Sequence, residues 1–168
     1  MRTLTPRIFL TTLAMLTAAC SSPRPLPPYQ KPIARAQIQS VRTTAYTHTE
    51  AGGSKNAIGS RLRYGSGDYS AASDWSWMPL GTRFRMLSNG RTYVIEDYGS
   101  ALVGCQTIDL YMPTRRIMRG WGVRTVEIEI LDWGSKAMSL KMLQPRTRNR
   151  HVGVMVAQLR KQGVSPAS

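Results

Sequence analysis

Apolar and polar residues alternate with a period of two through the middle of the chain. In the segment RTVEIEILDW, residues 124–133, valine and isoleucine at positions 126, 128 and 130 alternate with glutamates, the pattern of a strand with one buried face. Similar short runs predict five further strands, at Val41–Thr47, Ser70–Ser73, Thr82–Leu87, Thr92–Glu96 and Thr107–Tyr111.

Turn and helix signals lie between these strands. Asn89-Gly90 separates two of them and predicts a hairpin in which both turn residues have positive φ. The segment Pro113–Gly120 predicts one short helix, because proline stands in its first turn and glycine follows its last. Six short strands with one helix indicate an all-β fold closed into a barrel, since closure removes the exposed edges of so small a sheet.

The first nineteen residues have the layout of a bacterial secretion signal. Arg2 and Arg7 precede an apolar run from Ile8 to Leu16, and small residues stand just before Cys20. The run is too short to span a bilayer. A cysteine in this position resembles the lipoprotein signal and predicts acylation of Cys20, with simple secretion as the alternative. Because serines and no aspartate follow the cysteine, the resemblance favours anchoring at the outer membrane of the cell envelope.

Residues 20–40 are rich in proline and form no core, so they predict an extended tether between the lipid anchor and a domain at residues 41–134. The chain has one other cysteine, Cys105. If Cys20 is acylated, no intramolecular disulfide can form, and we expect Cys105 to be a buried thiol.

The net charge of +14 is unevenly distributed. Residues 41–134 carry all nine acidic residues against eleven basic ones, whereas residues 135–168 carry seven basic residues and no acid. Such a basic tail predicts attraction to anionic lipid or lipopolysaccharide. Nucleic acid is the other common partner of such charge, but the export signal argues against it. A solvated tail with a short helix near Val152 to Gln162 is the alternative.

Five motifs in the middle of the chain resemble the three-aspartate (3D) domain, which is named after its carboxylates. They are TAYT at Thr44–Thr47, SAASDWSWMPLGT at Ser70–Thr82, EDYGSALVG at Glu96–Gly104, IDLY at Ile108–Tyr111 and WG at Trp121–Gly122. The resemblance implies a six-stranded double-psi β-barrel with one or two short helices, related to the barrel of membrane-bound lytic transglycosylase A. The separation of Asp97 and Asp109 is one residue longer than is usual in the family. A bulge at residues 105–107 could absorb the extra residue, and without such a bulge Asp109 would face the wrong side of its strand.

The family resemblance implies cleavage of peptidoglycan between N-acetylmuramic acid and N-acetylglucosamine, without water and with a 1,6-anhydro product. It assigns the role of single acid/base to Asp109, with Asp74 and Asp97 close by. Like charge and partial burial should raise the pKa of at least one of the three, so that a proton is held near neutral pH. No cofactor is expected.

Other residues are candidates for binding the glycan. Gly99 and Gly104 bracket a loop whose backbone N–H groups could stabilise developing charge, although both are also ordinary turn residues. Trp75 and Trp77 could stack on sugars or pack in the core. Tyr46 could donate a hydrogen bond in the cleft or end a strand.

Three functional alternatives remain open from the sequence. A bare barrel could bind or scaffold glycan strands without cutting them, and a partner protein could supply the second half of the groove that the larger transglycosylase builds from its own second domain. Three carboxylates could also hold a cation, but neither His48 nor His151 has ligand-like spacing to them.

Overall fold

The computed structural model describes residues 37–50 and 53–167, in which six strands and three α-helices form. The predicted signal peptide, Cys20 and residues 20–36 of the predicted tether lie outside the described residues, whereas residues 37–40, also predicted to be part of the tether, already belong to β1. The strands are β1 (Gln37–Tyr46), β2 (Tyr69–Ala72), β3 (Arg83–Met86), β4 (Thr92–Asp97), β5 (Thr107–Tyr111) and β6 (Arg124–Asp132). The helices are α1 (Arg115–Trp121), α2 (Lys136–Leu143) and α3 (Arg150–Lys161).

The strands close into a barrel in the order β1-β5-β2-β4-β3-β6, and β6 pairs back onto β1. The pairs β1·β5 and β2·β4 are parallel, whereas the other four pairs are antiparallel. The predicted fold class, a closed six-stranded β-barrel, is confirmed, although three α-helices accompany it where one or two were expected.

The barrel interior is filled by the apolar positions of the alternating strands. In β6, Ile128 and Ile130 are buried, as the period of two predicts. Large side chains from the other strands complete the packing, and those fully buried include Phe84, Met86, Tyr93, Ile95, Ile108 and Leu110. Phe84 stacks on Tyr93 with ring centroids 5.4 Å apart, a favourable offset arrangement of aromatic rings.

The hairpin between β3 and β4 forms as predicted, but its turn differs from the expectation. Only Gly90 has positive φ, at 68°, and no described residue other than glycine does. The connection is longer than a two-residue turn: the Gly90 N–H donates to the Met86 carbonyl, and the Arg91 N–H donates to Asn89 Oδ1. Asn89 therefore stays at negative φ, and glycine alone takes the left-handed position.

Residues after β6 fold into a helical hairpin, where the sequence predicted a basic tail with one short helix. Helix α3 matches the predicted helix closely, and α2 adds a second one. Val152, Met155 and Leu159 recur at helical spacing in α3 and are buried, together with Leu140 and Leu143 of α2. This apolar stripe joins the same core cluster as the barrel interior, and the basic residues of α3 remain on the exposed face.

Among the described residues, no helix has the length and apolar character that crossing a bilayer requires.

Gly134 connects β6 to α2 at a close approach of two backbone segments. A Cβ atom there would lie 2.3 Å from the Leu80 carbonyl oxygen and 2.5 Å from the Thr82 nitrogen. We expect Gly134→Ala to lower the free energy of unfolding by about 2 kcal/mol or more, because backbone cannot yield as a side chain does. Urea unfolding measures the change.

The matched control for this substitution is Gly120→Ala in α1, where a new Cβ would meet nothing within 4 Å. It should be neutral or stabilising by up to about 1 kcal/mol, because alanine favours helix more than glycine does. Equal effects of the two substitutions would contradict the close-approach explanation.

Candidate functional site

A cleft of about 460 Å³ lies where the last residues of β1, β2 and β4 meet the middle of β5. Its floor contains Asp97, Asp109 and the small side chain of Ala72. Its walls come from the loop after β1 and from the 3₁₀ turn at Ser100–Leu102. The wall residues include Tyr46, Thr47, Glu50, Lys55, Asn56, Tyr98, Gly99 and Leu102.

Strand β2 brings the two aspartates of the cleft together. Its last residue, Ala72, pairs with Asp97 of the parallel strand β4 and with Asp109 of the antiparallel strand β5. A register shift lies between Ala71 and Ala72, so that Ala72 faces Asp97 rather than Glu96. Two carboxyl groups therefore flank one alanine on neighbouring strands, where the small side chain leaves the space above them open.

Asp109 is half-buried and has one side-chain hydrogen-bond donor. The Thr44 hydroxyl, its partner across β1 and β5, donates to Asp109 Oδ1 over 2.6 Å. Burial raises the pKa of Asp109 to about 6, with nearby Glu50 and Asp97 adding to the rise and the Thr44 hydrogen bond opposing it. Desolvation disfavours the ionised form, so this carboxyl group holds its proton at mildly acidic pH.

Asp97 receives more hydrogen bonds than Asp109 does. The Tyr98 N–H donates to Oδ1 over 2.9 Å, the Tyr46 hydroxyl donates to Oδ2 over 3.4 Å, and the Ala57 N–H also donates to this carboxylate. Burial raises the pKa of Asp97, and these donors oppose the rise because they favour the ionised form. The Tyr46 pKa is also raised, first by burial and then by Asp97 and Asp109, so Tyr46 stays a neutral donor.

Asp74, the third predicted aspartate, does not line this cleft. It is buried and caps its own turn: Oδ1 accepts from the Ser76 N–H and hydroxyl, and Oδ2 accepts from the Gly104 N–H over 2.8 Å. Gly104 belongs to the loop between β4 and β5, which also carries the 3₁₀ turn of the cleft wall. Asp74 therefore holds a loop that shapes the cleft, and it has no access to the other two carboxyl groups through the cleft.

Of the predicted sugar-binding residues, some line the cleft and others do not. Tyr46 and Gly99 line the cleft. The Gly104 N–H is taken by Asp74, so the expectation that it stabilises developing charge is wrong. Trp75 is fully buried and donates its Nε1–H to the Asp97 carbonyl, so the sugar-stacking interpretation is wrong for this residue. Trp77 is half-buried in a second groove away from the cleft.

The extra residue between Asp97 and Asp109 is absorbed in the loop rather than in a bulge at residues 105–107. The loop contains the 3₁₀ turn and a further turn that ends at Cys105, and β5 then begins at Thr107 in regular register. Cys105 is exposed, so the expectation of a buried thiol is wrong.

Several residues of the site were missed in the sequence. Thr44 and Tyr98 lie inside the quoted motifs TAYT and EDYG, so their spacing could have indicated them. Glu50 and Lys55 lie in a loop without periodicity and gave no signal. Arg146, from the C-terminal hairpin, donates to the Ala57 carbonyl over 2.8 Å and thus holds the residue whose N–H binds Asp97.

Within residues 37–50 and 53–167, no three acidic, histidine or cysteine side chains are grouped so that they could hold a metal ion.

Comparison with known proteins gives two findings. A family model described as the 3D domain matches residues 69–132, which include β2 to β6 and all three aspartates. YabE of Bacillus subtilis (strain 168), whose name describes it as a candidate cell wall shaping protein, is 32% identical over 97 residues. The alignment covers 57% of this chain but 23% of YabE, so the chain corresponds to a minor part of that relative.

The raised pKa of Asp109 predicts a pH-dependent effect of Asp109→Asn on stability. The ionised carboxylate is disfavoured in the folded state, so wild-type stability should fall as pH rises from the ordinary value of 3.8 through about 6. Asparagine removes this cost. Above pH 6 the variant should therefore be more stable than the wild type by up to about 3 kcal/mol.

Urea unfolding of both proteins at about pH 3 and about pH 8 measures the effect. At the lower pH the carboxyl group is protonated in both the folded and unfolded chains, and the titration gain should vanish there. A gain of equal size at the two pH values would show that titration of Asp109 is not its cause.

Proposed function

The barrel contains a 3D domain, and from that premise we propose that the protein acts on peptidoglycan in the cell envelope as a lytic transglycosylase. The bond cut is the one between N-acetylmuramic acid and N-acetylglucosamine. The observation that carries this proposal is the pair of unequal carboxyl groups in one open cleft, Asp109 with one donor and Asp97 with three. The name of YabE, which refers to shaping of the cell wall, supports the substrate class.

Asp109 acts as the acid and then as the base. Its carboxyl group donates a proton to the glycosidic oxygen, the bond between that oxygen and C1 breaks, and the leaving sugar departs with a free hydroxyl. The hydroxyl on C6 of the same muramic acid then attacks C1, and its proton returns to Asp109. No water is consumed, and the attacking group is already held by the substrate.

Asp97 stabilises the positive charge that develops on the sugar ring. Its three donors favour the ionised carboxylate and oppose the rise in its pKa that burial causes. Two acidic groups whose surroundings differ in this way can take different roles in one reaction. Tyr46 orients Asp97 through its hydroxyl and remains neutral in doing so.

A glycan-binding protein without cleavage is the second candidate, because the cleft is lined by side chains that can hydrogen-bond to a sugar, among them Tyr46 and Asn56. Trp75 is in the core and Trp77 lies away from the cleft, so neither provides an indole surface for a sugar ring there. In that case a partner protein would complete the groove. For either function, acylation of Cys20 would anchor the protein at the outer membrane, with the basic C-terminal residues near anionic lipid or lipopolysaccharide.

Digestion of peptidoglycan sacculi tests the two candidates. The purified protein should release muropeptides with 1,6-anhydro ends, identified by mass spectrometry, and Asp109→Asn should abolish their release because an amide cannot donate the proton that the glycosidic oxygen needs. Products with a reducing muramic acid end would indicate hydrolysis instead. Retention on sacculi without any product would favour the binding protein.

Thr44→Val predicts a shift of the pH profile of that activity. The Thr44 hydroxyl lowers the pKa of Asp109, so its loss should raise that pKa and move the alkaline limb of the profile to higher pH. Thr43→Val is the matched control, because the Thr43 hydroxyl donates to the Arg124 carbonyl and not to Asp109. An unchanged limb in Thr44→Val would argue against Asp109 as the titrating acid.

A further inference from the structure

A second cavity of about 350 Å³ adjoins the cleft and has the opposite electrostatic character. Its lining contains a lysine, an arginine, a histidine and a tyrosine, and no acidic residue. The residues are His48, Ser54, Lys55, Arg61, Leu62 and Tyr111. We refer to it as the basic cavity. Lys55 lines both the basic cavity and the cleft, so the two spaces share a wall.

The backbone holds the two cations of the basic cavity side by side. Lys55 and Arg61 form an antiparallel β-bridge. Bridge partners project to the same face with their Cβ atoms about 5 Å apart, and like charges directly opposite each other are destabilising. The fold therefore maintains an unfavourable pair of positive charges beside the cleft.

Three arginines of the barrel have acidic partners, whereas Lys55 and Arg61 have none among the described residues. Arg63 pairs with Glu96, Arg83 with Asp68 and Asp132, and Arg85 with Glu129. Within the part of the chain that the structure describes, neither Lys55 nor Arg61 forms an ion pair. An anion bound between them would relieve the repulsion and accept hydrogen bonds from both side chains.

We propose that the basic cavity binds a carboxylate of the peptide carried by the muramic acid residue whose glycosidic bond lies in the cleft. A carboxylate matches the forked donors of Arg61 and the ammonium group of Lys55. His48 Nδ1 lies 3.0 Å from the Tyr111 hydroxyl, which gives the cavity a further polar contact for a peptide. The identity of the ligand rests on the proposed function, because the neighbouring cleft supplies the reason for a glycan.

The inference predicts that charged peptide stems, as well as the glycan, determine binding. Sacculi with free carboxylates should bind more tightly than sacculi whose carboxylates have been converted to neutral amides by carbodiimide coupling with ethanolamine. Blocking in this way removes the charge and keeps both glycan and peptide. Sacculi stripped of peptide by an amidase serve as a third substrate, and they retain only the lactyl carboxylate of muramic acid.

Retention of the full chain on these sacculi is the measurement, at low salt and at about 0.15 M salt, where distant surface charges are screened. Blocking should weaken retention of the wild type by about tenfold, the size expected from two partly exposed ion pairs. The double variant Lys55→Met/Arg61→Met should show the same loss on unmodified sacculi and should no longer distinguish blocked from unmodified sacculi. Binding of stripped sacculi as tight as that of unmodified sacculi would assign the site to the lactyl carboxylate and overturn the peptide assignment.

The control is Arg116→Met/Lys161→Met, which removes two exposed positive charges on α1 and α3, outside the basic cavity. This control variant should still bind unmodified sacculi more tightly than blocked sacculi. Equal loss in both double variants would indicate nonspecific attraction and overturn the inference, as would a wild type that binds blocked and unmodified sacculi alike. If the protein releases no anhydro products but still prefers unmodified sacculi, the catalytic proposal fails and the basic cavity remains a binding site.

Discussion

The register shift in the parallel pairing of β2 with β4 is the constraint on which the cleft depends. Ala71 faces Ile95, and a regular ladder would place Glu96 opposite Ala72, but the shift puts Asp97 there instead. Glu96 is buried and accepts hydrogen bonds from Ser70 and Arg63. One inserted residue thus separates two successive acids into a structural ion pair and a group in the cleft, which is a common use of bulges near functional sites.

Burial and hydrogen bonding act against each other on the two carboxyl groups of the cleft. Both pKa values rise because the ionised forms lose solvent. Three hydrogen-bond donors stabilise the ionised form of Asp97 and oppose part of the rise in its pKa. Asp109 accepts a side-chain hydrogen bond from Thr44 alone. Two strands that flank the end of β2 therefore carry one group suited to bear charge and another suited to hold a proton. The difference comes from the main chain around Asp97 rather than from the type of residue.

The regular parts of the fold were predictable because they depend on local periodicity. The bounds of β5 agree with the prediction at both ends, and the alternation in β6 identifies its buried face correctly. The turn after Asp74 was not predictable in the same way. The Asp74 carbonyl accepts from the Trp77 and Met78 N–H groups, so the chain curls there and Trp75 enters the core.

Contacts between distant segments account for most of what the sequence did not reveal about the site. Asp74 is bound by Gly104 across thirty positions, and no local pattern marks such a partner. The C-terminal hairpin was missed as a packed unit because its basic residues dominate the composition, although the apolar spacing in α3 was visible. The quoted motifs contain Asp97 and Asp109, and the structure brings both side chains into one cleft, whereas Asp74 from the same set of motifs lies elsewhere.

The C-terminal hairpin has a consequence for where this domain ends. Arg146 holds the Ala57 carbonyl, His151 packs against the Tyr98 ring, and Gln158 accepts a hydrogen bond from Ser76, the residue that caps Asp74. The match to the 3D-domain model ends at residue 132, yet these contacts support the cleft from residues that follow it. A segment grafted into another wall protein would therefore have to extend past the family match to keep its carboxylates correctly supported. A relative with a different C-terminal segment would need other contacts to support the cleft.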